Sequence, residues 1–160
     1  MRELQKYSNL QIWLHWLVFI LILGQFVFHE PISEAFELRL EGQEVVPSAL
    51  IGLHLVFGGV VFLLIVTRLW VRMGQGVPSY PKENAALMEL ASKIVHWSFY
   101  GVLLQLPISG GFAWFQLSEG AGNAHELLKT VLLLLLFLHV GASLFHYFVL
   151  KSNLFKRMWW

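Results

Sequence analysis

The chain reads as an all-α membrane protein built from four spanning helices with both termini on the cytoplasmic side. Three observations carry that reading. Of its 160 residues 57% are hydrophobic, only 13% are charged, and the mean hydropathy is +0.63. Globular domains carry ~25% charged residues, so too little polar surface is available here for a soluble fold of this size. Four segments, at about 10–28, 47–73, 87–115 and 123–150, each supply the ~20 mostly apolar residues that a helix needs to cross the hydrocarbon core. The basic residues are distributed unevenly between the two ends of those segments.

The first segment, LQIWLHWLVFILILGQFVF, follows a short basic stretch. It is too long for a signal-peptide core and no small-residue cleavage site follows, so a removable leader is not expected. The second segment starts at Pro47, a residue suited to the first turn of a helix. The linker GQGVPSYPKENA has loop chemistry and separates the second segment from the third. Pro107, in LQLPISGGF, is expected to kink the third helix near its outer end and to free a backbone carbonyl there. The fourth segment contains the run at 132–136, which reads as lipid-facing leucine.

Arg2 and Lys6 precede the first segment, and Arg68, Arg72, Lys82 and Lys93 flank the second-to-third connection. Lys151, Lys156 and Arg157 follow the fourth, which leaves only Arg39 and Lys129 for the opposite side. By the positive-inside rule both termini are cytoplasmic. The outer side is acidic, with Glu30, Glu34, Glu37, Glu41, Glu44, Glu119 and Glu126. The chain has no cysteine, which excludes disulfides, thiolate-held iron–sulfur clusters and a cysteine nucleophile. Nothing in the composition calls for a nucleic-acid partner.

Histidines are the informative polar residues, because polar groups inside a membrane face the protein interior and carry a job or a partner. His125 and His139 are fourteen residues apart in a leucine-rich helix. That is close to four turns, so both project from nearly one face, ~21 Å apart along the axis. No single ion spans that distance. Sorted by depth, His54 pairs with His125 near the outer face, and His15 pairs with His139 towards the inner face. A histidine on either side of a porphyrin holds a b-type haem, and with both axial positions filled the natural activity is outer-sphere electron transfer. Two such centres stacked across the bilayer form an electron path between its faces.

The surroundings fit that pattern. Gly58 and Gly59 follow His54 by about one turn, and Gly24, Gly101, Gly110, Gly111 and Gly141 leave further room for close approach of a flat group. Arg68 lies fourteen residues after His54 on the same face, where a guanidinium suits a propionate of the inner haem.

Taken together, KYSNLQIWLHWLVF, IGLHLVFGGVVFLLIVTRLWVR, HWSFYGVLLQLPISG and HELL…FLHVGASLFHYFVLKSNLFKRM resemble the bacterial cytochrome b561 proteins over nearly the whole chain. That family is related to the cytochrome b subunits of formate dehydrogenases and nickel–iron hydrogenases. The resemblance implies a four-helix bundle in the bacterial inner membrane that encloses two b haems, with His15, His54, His125 and His139 as axial ligands. It also implies ubiquinone or another quinone as electron partner, and in some members superoxide as donor. His96 matches a further histidine of the family. With Trp97 and Tyr100 it forms a candidate quinone site near the inner haem, since a quinone carbonyl wants a donor and its ring wants apolar walls.

The acidic outer face departs from what an anionic donor would favour, because fast capture of superoxide is helped by positive charge. Lys129, one turn after His125, is a local exception. Three functions follow for testing. One is a self-contained oxidoreductase between an outer-face donor, a small molecule or a protein, and a membrane quinone. Another is a haem-bearing anchor that relays electrons from a peripheral dehydrogenase. A histidine-based ion carrier ranks last, because its rungs are too far apart for an ion to step between them.

Overall fold

In a computed structural model, residues 6–79, 86–152 and 154–159 are described, and every long element is helical. The helices are α1 (Asn9–Val27), α2 (Glu30–Leu40), α3 (Ala49–Gln75), α4 (Ala86–Gln116) and α5 (Glu119–Phe148), followed by a short 3-10 helix, Phe155–Met158. Three of them, α1, α3 and α5, are long and apolar enough to cross a membrane. The basic residues Arg2 and Lys82 lie outside the described residues.

Local chemistry sets the ends. Ser8 caps α1 through a reciprocal box in which its hydroxyl accepts from the Gln11 amide and the Gln11 side chain accepts from the Ser8 amide. The start of α3 corrects the role given to Pro47. Ser48 is the cap, accepting from the Leu50 amide at 3.2 Å, and the helix begins at Ala49. A hydroxyl satisfies a free helical N–H, which proline cannot do, so Pro47 stands outside the helix. At the other end of α3, Gly76 takes φ +75°, a left-handed turn that favours glycine. Its carbonyl then accepts from Gln11 Nε2 at 3.0 Å, while Ser8 Oγ donates to Gln75 at 2.6 Å. The start of α1 and the end of α3 are thereby tied together at one end of the molecule.

α2 was read from sequence as part of an acidic outer loop. Its 11 residues are too polar and too short for the spanning pattern, but Pro31 in the first turn starts a helix and Ala35 is buried. It docks through Phe36 against Gly122 of α5, where an added Cβ would lie 2.6 Å from Phe36 Cε1.

The long helices pack in chain order, α1 on α3, α3 on α4 and, most extensively, α4 on α5. The shared core is Val18, Ile22, Val61, Ile65, Tyr100, Val102, Leu103 and Leu132, with Leu135 and Leu136 packed against it. Leu132 is only 2% exposed, which corrects the reading of 132–136 as wholly lipid-facing. A helix turns every 3.6 residues, so even a continuous leucine run sends part of itself inward. Leu133, Leu134, Phe137 and Leu138 face outward, as do Trp13, Ile20, Leu63, Trp70 and Phe115. Such a belt of large apolar side chains suits lipid.

Candidate functional site

Four histidines from three helices face one another in two pairs. His15 of α1 and His139 of α5 have ring centres 6.3 Å apart. His54 of α3 and His125 of α5 have ring centres 6.4 Å apart. Two metal–imidazole bonds of ~2 Å, with ~1.1 Å from each nitrogen to its ring centre, add to ~6.2 Å. Both pairs therefore match the separation of two imidazoles on opposite sides of one metal ion. Among the described residues no group of three or more His, Cys or acidic side chains converges on a metal-sized site. Two facing imidazoles suit a metal whose remaining donors come from a macrocycle such as a porphyrin.

Each pair has its own bracing. The Nδ1–H of His125 donates to the Leu106 carbonyl at 2.9 Å, and the Ser109 hydroxyl donates to that same carbonyl at 3.0 Å. Because a carbonyl only accepts, the ring carries its proton on Nδ1 and presents the Nε2 lone pair, the outer-shell arrangement typical of metal-bound histidine. Leu106 precedes Pro107, the proline inside α4. Gly110, one turn on, lies against the His125 ring, where a Cβ would stand 3.0 Å from both Cε1 and Nδ1. Opposite, Gln25 Nε2 donates to the His54 carbonyl at 2.9 Å, bracing α1 on α3. His54 Nδ1 itself is buried without a hydrogen-bond partner. An unpaired buried polar atom is costly and marks a site whose partner is not supplied by the fold alone.

The glycines divide into two kinds. At Gly58 an added Cβ would meet only Gln25 Nε2, at an ordinary 3.8 Å. At Gly24, Gly59, Gly101, Gly111 and Gly141 it would meet nothing within 4 Å. No protein neighbour requires glycine at these positions, and Gly59 and Gly141 are exposed.

At the inner pair, His96 of α4 lies 5.6 Å from His139 and perpendicular to it, closer than His15 does. Its Nδ1–H donates to its own helix at the Ser92 carbonyl, 2.6 Å away. The 5.6 Å separation is too short for two rings with a metal between them, so His15 is the better counterpart of His139 and His96 is a neighbour. Phe99 closes another side at 5.5 Å. Arg68 acts electrostatically on His15, His96 and His139 together, and it meets no carboxylate within ion-pair distance among the described residues.

Trp97 and Tyr100 have ring centres 5.9 Å apart, and Arg72 lies 5.8 Å and 5.7 Å from them. Tyr100 is buried, whereas Trp97 is half exposed. Sequence reasoning passed over Tyr7, which joins this group. Burial pushes its phenol above the ordinary value, against the pull of Arg72 and Arg68. Its position just ahead of the Ser8 cap was the only available signal. His146 shares a hydrogen bond with Ser152, and His29 donates to the Phe26 carbonyl. Both serve local structure.

The sequence profile of the family described as prokaryotic cytochrome b561 matches residues 6–160. Cytochrome b562 of Cereibacter sphaeroides is 31% identical over 154 residues, 95% of this chain and 94% of that protein. The probable superoxide oxidase CybB of Yersinia pestis is 28% identical, covering 96% of each chain. Cytochrome b561 homolog 1 of Escherichia coli is 25% identical, covering 97% of each.

Proposed function

The chain belongs to the prokaryotic cytochrome b561 family, a bacterial membrane haem-b electron carrier, and on that premise we propose that it binds two haems b and moves electrons across the inner membrane to quinone. The observation that carries this is the pair of facing histidines at 6.3 and 6.4 Å, repeated at two depths. His54 and His125 hold the outer haem, and His15 and His139 hold the inner one. α4 crosses with α1, α3 and α5 to complete a four-helix bundle, and both termini are cytoplasmic.

Each haem, when bound, supplies a one-electron Fe(III)/Fe(II) couple. The chain's own residues do the rest. The Leu106 carbonyl and Ser109 hold His125 in the tautomer that offers Nε2. Arg68 places a positive charge beside the inner pair, which favours the reduced state and offers a partner for a propionate. Phe99 covers one side of His139 with an apolar ring.

Quinone meets the inner end at His96, Trp97 and Tyr100. On this reading His96 is an acceptor and not a donor. With Nδ1–H committed to Ser92, the neutral ring has only an accepting nitrogen to offer, so it suits a quinol hydroxyl. Donors for a quinone carbonyl are then Arg72 and the Tyr100 hydroxyl. The donor of electrons is a small molecule or protein on the outer side; the name of the Yersinia relative supports superoxide among the candidates.

The test is a reduced-minus-oxidised spectrum of the purified chain with a pyridine haemochrome assay. Two haems b per polypeptide are expected. One would mean that one histidine pair is structural, and none in a folded protein would overturn the reading.

A further inference from the structure

At the end of the molecule opposite the Ser8–Gln75 tie, a cavity of about 440 Å³ opens between α2, α3 and α4. Its charged member is Arg39, at the end of α2. The guanidinium lies 4.4 Å over the Trp114 ring and donates to the Trp114 carbonyl at 2.8 Å. That stacking holds it in place and uses one of its five N–H groups. Among the described residues Arg39 pairs with no carboxylate, although Glu37 and Glu41 are its near neighbours in sequence. Glu41 is engaged instead by Gln43 Nε2 at 2.7 Å.

The rest of the lining is mainly an apolar wall. Ser48 caps α3 there, and the first turn of that helix, with Ile51 and Gly52, faces the cavity. Val45, Pro47, Ile51 and the Trp114 indole are the apolar surfaces. At about 440 Å³ this open cleft has room for a substituted ring as well as for an inorganic ion, and its flat apolar walls favour the ring. A fixed guanidinium beside flat apolar walls recognises one chemistry.

We propose that this cavity binds a planar, ring-sized oxyanion, a carboxylate or phenolate, with its charge on Arg39 and its ring against Trp114 and Ile51. The site is a local positive exception on an otherwise acidic face. Ile51 is one turn from His54 on the same helix, so a ligand seated here approaches the outer histidine pair. The inference stands on the cavity and does not depend on how many haems the chain carries.

Isothermal titration of the purified holoprotein with benzoate tests it, because the heat of binding is read independently of haem absorbance. Saturable one-to-one binding is expected, with neutral benzamide at least about tenfold weaker. Arg39→Gln should weaken benzoate at least about tenfold, while Lys129→Gln leaves it unchanged. Ile51→Trp, which fills the cavity from the opposite wall with Arg39 intact, should abolish binding, so the outcome does not rest on one variant. Equal affinity for benzoate and benzamide, or benzoate binding untouched by both Arg39→Gln and Ile51→Trp, would overturn the proposal. So would absence of benzoate binding, with phosphatidylglycerol co-purifying with the parent chain but not with Arg39→Gln, which would assign the cavity to a lipid phosphate.

Discussion

Gly110 of α4 lies against the ring of His125 of α5 so closely that a single added carbon would stand 3.0 Å from two of its ring atoms. The same ring donates to Leu106, one turn before Gly110. The position of one histidine is thus set from two sides by its neighbouring helix. Gly110→Ala should push the ring off the Leu106 carbonyl at a cost of about 1–3 kcal/mol, the usual range for overpacking. Haem content per chain is expected to fall with helical circular dichroism unchanged. A fully loaded Gly110→Ala protein with an unaltered spectrum would show that His125 has more freedom than the packing implies.

Each histidine pair should behave as a unit. His54→Ala and His125→Ala are each expected to lower the haemochrome ratio from two to one and to leave the same remaining spectrum. His15→Ala and His139→Ala should leave the other. Unlike remaining spectra from the two members of one pair would break the assignment.

Removing the charge of Arg68 should lower the potential of the inner haem, since a nearby cation stabilises the reduced iron. A shift on the order of 60 mV corresponds to a tenfold change in a one-electron equilibrium. Redox titration of Arg68→Gln should show this shift in one of the two components. Equal movement of both would make Arg68 a topological anchor only.

Gly122 and Phe36 join α2 to α5. Gly122→Ala should lift α2 and expose the 29–48 segment to protease, whereas the double variant Gly122→Ala/Phe36→Ala should regain resistance. Failure of the double variant to recover would show that the Phe36 ring itself, and not only relief of its clash, holds α2 in place.

Tyr7 makes stability depend on alkaline pH. Its folded pKa is raised, so the protonated phenol is favoured in the folded state and its contribution is intact below the ordinary value of 10.0. It is lost as pH rises through the higher folded value. Thermal melts in detergent should therefore fall more steeply above pH ~10 for the parent chain than for Tyr7→Phe. Parallel curves would place the alkaline transition on another group.

The sequence by itself determined the helical class, the positions of the long helices to within about four residues, and the helix that carries each of His15, His54, His96, His125 and His139. Those features are periodic or compositional. A run of apolar residues long enough to cross lipid announces itself, and a fourteen-residue interval maps onto one helix face without reference to any other helix.

Tertiary structure decided what depends on partners far apart in the chain. α2 has no spanning pattern of its own; it is held by packing on α3 and by the contact of Phe36 with Gly122, 86 positions away. The tautomers of His125 and His96 follow from which carbonyl each ring reaches. Gly110 and Gly58 look alike in sequence, yet only Gly110 is pressed against another side chain. Sequence places Arg39 on the acidic side, and only the fold sets its guanidinium over Trp114. Hydrophobic patterning places helices in a membrane, whereas close contacts between them depend on side-chain shapes that meet only after packing.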